Sequence, residues 1–131
     1  MKWVTGISAA LAVAAMPLAT ANAQQAETPD SATVAAGKEI YEGRGMCVSC
    51  HGRNGEGILG PTTRLDADKK WLHHDGSLEA IIAVIKAGID DEKSSSGIVM
   101  PPRGGSRITD EQVRQVAAYV QQVLHRRKNA Q

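Results

Sequence analysis

Three side chains able to act together fall within five positions: Cys47, Cys50 and His51, in the run Met46-Cys47-Val48-Ser49-Cys50-His51-Gly52. Two thiols three positions apart lie on one turn of a helix, where both can bond to the vinyl groups of a single porphyrin. The imidazole that follows then lies under the metal and offers it a nitrogen. This C-x-x-C-H spacing is the attachment signature of a covalently bound c-type haem. Competing chemistries fit less well. Cys47 and Cys50 are the only cysteines, so a four-thiolate zinc site cannot form. A thioredoxin-like redox pair would sit near a βαβ pattern, and no strand-rich segment precedes the motif. A structural disulfide or half of a zinc site are the remaining alternatives.

An iron held from one side by His51 has a sixth position, and Met100 is the best candidate for it. Met100 stands in Ile98-Val99-Met100-Pro101-Pro102, between an apolar pair and two prolines that favour an extended backbone. Core filling is the ordinary use of a lone Met. Met46, however, is tethered beside Cys47 and cannot reach across the iron. The metal ligands are therefore expected to be His51 and Met100. Two further residues are expected beside the cofactor. Pro61 is placed to offer its carbonyl to the far nitrogen of His51, fixing the tautomer and raising the ligand's basicity. Trp71 is either an ordinary core aromatic or an indole N–H donor to a haem propionate. His73 and His74 are conceivable spare ligands, but adjacent positions in a polar loop more often mean exposure to solvent.

Helices must position these groups. Ala32–Glu42 reads as a short helix, capped by Ser31 or Thr33, with Gly37 and Tyr41 on one face. Gly37 suits a close helix crossing. From Gly52 to Pro61, four glycines and a proline in ten residues make a loop. It lacks the G-K-[ST] ending of a phosphate-cradling loop. Leu65–Leu72 is expected to form a helical turn. Ser77 caps a helix running to Ala87, with Leu78, Ile81, Ile82 and Ile85 on its apolar face and Gly88 at its end. The loop Ile89–Val99, with its serines and acidic residues, should have a wet, mobile tip. Thr109-Asp110-Glu111-Gln112 is a capping box opening the last helix, whose apolar face is Val113, Val116, Ala117, Val120 and Leu124. Tyr119 can join that face to meet Gly37 and Tyr41, and the helix should run to His125 or Arg127.

Composition agrees with a cofactor at the centre. The chain has no Phe, and beyond residue 23 only Trp71, Tyr41 and Tyr119 are aromatic. A domain so poor in large apolar side chains builds a weak core alone, and a buried porphyrin would supply the missing volume. Residues 1–23 read as a signal peptide: Lys2, an Ala-rich run from Val4 to Leu18, and an A-x-A site at Ala21-Asn22-Ala23. The short run, broken by Pro17, argues against a stable membrane anchor once it is cleaved. Residues 24–31 are then a flexible leader, 32–127 one monohaem domain and 128–131 a polar tail. Without Lys2, basic and acidic side chains balance, so no strong field points to nucleic acid.

Taken together, the residues resemble the class I c-type cytochromes, specifically the small bacterial monohaem group. The likeness spans roughly residues 36–123. It rests on Gly37 and Tyr41, Cys47-Val48-Ser49-Cys50-His51, Gly60-Pro61, Met100-Pro101-Pro102 and Tyr119. It implies an all-α cytochrome c fold, three main helices plus short turns around one haem c, with thioethers at Cys47 and Cys50 and iron between His51 and Met100. It also implies one-electron transfer in the periplasm to and from redox protein partners through the exposed haem edge. Val48, Ile58 and Ile98 are candidates for an apolar docking rim there, with Arg53 and Arg103 as steering charges. Two other readings stand beside it. One is an electron-transfer subunit of a periplasmic dehydrogenase or oxidase; the other is a haem enzyme or ligand sensor with an open sixth site.

Overall fold

The computed structural model describes Met1, residues 28–65 and residues 73–128, with side chains through Val123. The expected signal peptide, most of the leader, the turn after Leu65 and Trp71 lie outside the described residues. Among those described there is no strand, and the fold is all-α. There are three main helices, α1 (Ser31–Glu42), α3 (Leu78–Ala87) and α4 (Asp110–Lys128), and a single turn, α2 (Val48–His51), that carries the motif. Two 3-10 turns, Pro61–Thr63 and Pro102–Gly105, interrupt the connections. No helix among the described residues is long and apolar enough to cross a membrane.

Each main helix begins on a side-chain cap. Asp30 accepts from the backbone N–H of Ala32 and Thr33 at 2.8 and 2.9 Å, so it caps α1 in place of the expected Ser31 or Thr33. A carboxylate also suits the positive end of the helix better than a hydroxyl. Ser77 caps α3 through the Ala80 N–H. The capping box closes both ways at α4: Gln112 N–H donates to Thr109 Oγ1, and Thr109 N–H donates to Gln112 Oε1. The helix itself runs a residue beyond the expected end, to Lys128.

The core lies where α1 and α3 pack against α4. Val34, Ile40 and Tyr41 of α1 meet Val113, Val116, Ala117 and Val120 of α4, and Ile81, Ile82 and Ile85 close it from α3. Gly37 lets α1 and α4 approach: a Cβ there would lie 2.6 Å from the Gln115 carbonyl carbon and closer still to its oxygen. Beside this crossing the Tyr41 and Tyr119 rings meet edge-on, 5.2 Å apart. Arg114 of α4 reaches Glu79 of α3 at 3.1 Å.

Candidate functional site

The two tyrosines carry the helix crossing to the motif. The buried Tyr41 hydroxyl donates to the Gly52 carbonyl at 2.6 Å, and the Tyr119 hydroxyl to the Arg53 carbonyl at 3.4 Å. The two residues after His51 are thus fastened to α1 and α4. The glycine-rich loop then folds back beneath α2. Gly57 N–H donates to the His51 carbonyl at 2.8 Å, and Ile58 N–H to the Cys50 carbonyl at 3.0 Å. These bonds satisfy carbonyls that a helix of one turn leaves without partners, so the loop holds α2 in place.

His51 is set by a second contact. Its Nδ1 lies 2.7 Å from the Thr63 carbonyl. A carbonyl can only accept, so Nδ1 carries the proton and Nε2 keeps its lone pair for a metal. Burial pushes the imidazole below its ordinary pKa, while the Thr63 contact pulls it upward. The result is a neutral, oriented ring. The carbonyl that orients His51 is that of Thr63, not Pro61. Pro61 opens the 3-10 turn, and the chain presents its carbonyl to the ring only where that turn ends and Arg64 becomes extended. The signal was present in the sequence as a proline-started turn, displaced by two residues.

Met100 arrives on a different segment and is held by its backbone. Its N–H donates to the Ile89 carbonyl at 2.9 Å, and its carbonyl accepts from the Ile89 N–H at 2.8 Å, an isolated antiparallel bridge. Gly88 makes the approach possible. It ends α3 with a φ of 72°, and a Cβ on it would lie 2.8 Å from the Pro102 nitrogen and closer to the Met100 carbonyl. Gly88 thus both stops the helix and admits the Met100 segment beside it. Nothing in the sequence singled out Ile89, because a lone bridge has no periodicity. In the preceding loop Asp90 pairs with Lys93 at 2.9 Å, and Ser94 Oγ donates to the Ile98 carbonyl at 2.8 Å.

These segments line a cleft that is partly open to solvent. The motif contributes Met46, Cys47, Cys50 and His51; the later segment contributes Ile98, Val99, Met100 and Pro101. Thr62, Thr63, His73 and Ser94–Ser96 add polar groups. Pro61 is not among the described lining residues, although its neighbours Thr62 and Thr63 are. His73 and His74 separate: His73 lines the cleft, whereas His74 Nδ1 accepts from Gly76 N–H at 3.1 Å within its own turn. Cys47 and Cys50 are not joined to each other, and burial pushes the Cys47 thiol up to about 11. Among the described residues no three His, Cys, Asp or Glu side chains gather as a metal-binding group. Two free thiols, an imidazole with a bare nitrogen and a thioether instead share a largely apolar cleft. That donor set fits a covalently attached haem.

The expected docking rim changes in part. Ile58 is exposed, together with Met46, Leu59 and Val99, but Val48 packs against the core and Ile98 is half-buried in the cleft. Arg103 is engaged with the Ile108 carbonyl and Asp110, so it is not a free steering charge.

A family model described as cytochrome c oxidase, cbb3-type, subunit III, matches residues 32–120, from α1 through most of α4. Neither the curated proteins nor the solved structures gave a match. The matched span takes in the thiols, both axial candidates and the helix crossing. The chain belongs to that family: it is a c-type cytochrome, carrying covalent haem c with its iron, and it serves haem-based electron transfer.

Proposed function

We propose that this chain is an exported, periplasmic one-electron carrier whose haem iron is held between His51 and Met100. One observation supports this above the rest. Met100 lines the same cleft as Cys47, Cys50 and His51, and two hydrogen bonds to Ile89 hold its backbone there. When bound, the haem supplies a ferrous–ferric couple, and a thioether ligand favours the ferrous state and raises the potential. The chain's own contribution is to orient the His51 ring through Thr63, to keep the Met100 sulfur at the cleft, and to line the cleft with apolar side chains. The pattern at residues 1–23 supports export, which brings the thiols to the compartment where bacteria attach haem. Met46, Ile58, Leu59 and Val99 are 48–60% exposed and supply apolar surface for a redox partner around the haem edge.

Spectroscopy and ligand binding test the axial pair. The ferric protein should show the far-red charge-transfer absorption of Met ligation, and the ferrous protein should bind carbon monoxide slowly or not at all. Met100→Ala should bind it readily and have a lower midpoint potential, with the haem still attached. Fast carbon monoxide binding by wild type, with an unchanged potential in the variant, would remove Met100 from the iron and favour an open-site enzyme or sensor. The family's description favours a second reading, a subunit of a terminal oxidase. Recovery of the native chain in a stable oxidase complex, rather than free, would select it.

A further inference from the structure

Arg103 holds a backbone conformation that its residue type disfavours. Its φ is 55°, and among the described residues only Met46 shares a positive φ without being glycine. Gly104 and Gly105 follow with φ of 66° and 76°, so the chain passes through three left-handed residues directly after Met100-Pro101-Pro102. Glycine would adopt this turn at least cost in all three places. A side chain kept at such a position points to a use for it.

The Arg103 guanidinium forks. Nη1 donates to the Ile108 carbonyl at 2.8 Å, and Nη2 donates to Asp110 Oδ1. The other oxygen of Asp110 accepts from Lys86 Nζ at 2.7 Å. Ile108 is buried, Asp110 is in the first turn of α4, and Lys86 is in the last turn of α3. Three elements therefore converge on one carboxylate. Gly88, two residues after Lys86, is the residue against which the Met100 carbonyl packs. An isolated surface pair would mean little. Here the Arg side chain is 28% accessible, forms a two-pronged contact and has one prong on a core backbone carbonyl.

We propose that Arg103 is a positioning residue that sets how firmly Met100 stays at the iron, acting through Ile108, Asp110 and Lys86. The claim rests on the His51/Met100 reading above. The bridge to Ile89 holds Met100 at its own N–H and carbonyl. Arg103 holds the same segment from its C-terminal side, three residues on. The two restraints together leave the thioether little freedom to swing away. Release of the second lets the segment beyond Pro101 move, and the sixth position then opens transiently to an incoming ligand.

Arg103→Gly separates this role from ordinary stabilisation, because glycine relieves the left-handed backbone while removing the fork. Azide uptake by the ferric, haem-loaded variant should quicken roughly tenfold, as expected for losing one charge-assisted contact from the bound state. The far-red Met absorption should weaken, and the thermal midpoint should change little. Arg103→Lys, which keeps the charge but not the fork, should restore part of the slow uptake; Asp110→Asn should quicken azide uptake as the glycine variant does, with its effect on stability a separate matter. Azide rates in Arg103→Gly equal to wild type, with wild type showing the Met absorption, would overturn the proposal. A faster rate that Lys does not rescue at all would also overturn it. Wild type without that absorption would instead sink the His51/Met100 reading itself. Should Arg103→Gly fold poorly, the Lys and Asn variants decide by the same two readouts.

Discussion

Gly37→Ala puts the crossing of α1 and α4 to a direct test. The added Cβ would lie 2.6 Å from the Gln115 carbonyl carbon and 3.0 Å from Tyr119 Cβ, where ordinary contact begins near 3.4 Å. The obstacle is α4 backbone, which no rotamer change can move aside, so the helices must part by about 1 Å. Overpacking of this kind costs about 1–3 kcal/mol, and the rigid contact places it at the upper end. Alanine in a helix interior returns about 1 kcal/mol relative to glycine. The expected net loss is about 2 kcal/mol, or roughly 10 °C in the thermal midpoint of a domain this size. Calorimetry of the haem-loaded protein would measure it, with Ala35→Gly on the exposed side of α1 as the control for propensity alone. That control should lose about 1 kcal/mol. A Gly37→Ala protein as stable as wild type, or more so, would refute the close crossing. The propensity gain would then be the only effect present.

Other outcomes follow from the cofactor and from the ion cluster. The intact mass of the exported protein after acid denaturation should equal the chain from Gln24 plus one haem. Replacing Cys47 and Cys50 together by Ala should remove the added mass and leave a protease-sensitive chain without a cooperative thermal transition; a transition like the holoprotein's would mean that the helices suffice. Lys86 and Arg103 hold the Asp110 carboxyl down from its ordinary 3.8 to about 2. A depressed carboxyl stabilises the fold above its unfolded pKa, so the stability gap between wild type and Asp110→Asn should be full above pH 4 and close as pH falls towards 2. Urea unfolding across that range measures the gap; a gap independent of pH would show that the charge is not responsible.

Most of what was legible in the sequence was local chemistry or helical periodicity. Cys47, Cys50 and His51 declare themselves by spacing. The boundaries of α3 and α4 follow from Ser77, Gly88 and the Thr109–Gln112 box, whose signals act within one turn. Gly37, Tyr41 and Tyr119 were readable because helical geometry puts residues three or four apart on one face. What the sequence hid was which backbone groups would be contacted. The Thr63 carbonyl could not be told from that of Pro61, because every residue carries one. The Ile89 bridge to Met100 joins single residues and leaves no pattern. Asp30 and Ser31 are both good caps, and only the position where the helix axis begins decides between them.

Those hidden contacts share a property that bears on function. Each fixes a main-chain atom at or next to a candidate ligand or thiol: Gly52 through Tyr41, Cys50 through Ile58, His51 through Gly57, Met100 through Ile89. Side chains at such sites are free to be chosen for redox chemistry because the backbone around them is held by other means. A carrier exchanging one electron gains from ligands that keep their places in both oxidation states. Movement of the surroundings would otherwise have to accompany every transfer. Helices α1 and α4, locked at Gly37 and extended to the motif by two tyrosine hydroxyls, hold the His51 side in this way. The Met100 side has no helix of its own. Its placement rests on one bridge and one glycine and, on the proposal above, an arginine held in a glycine's conformation, so under the proposed His51/Met100 pair it is the side on which ligation should first give way.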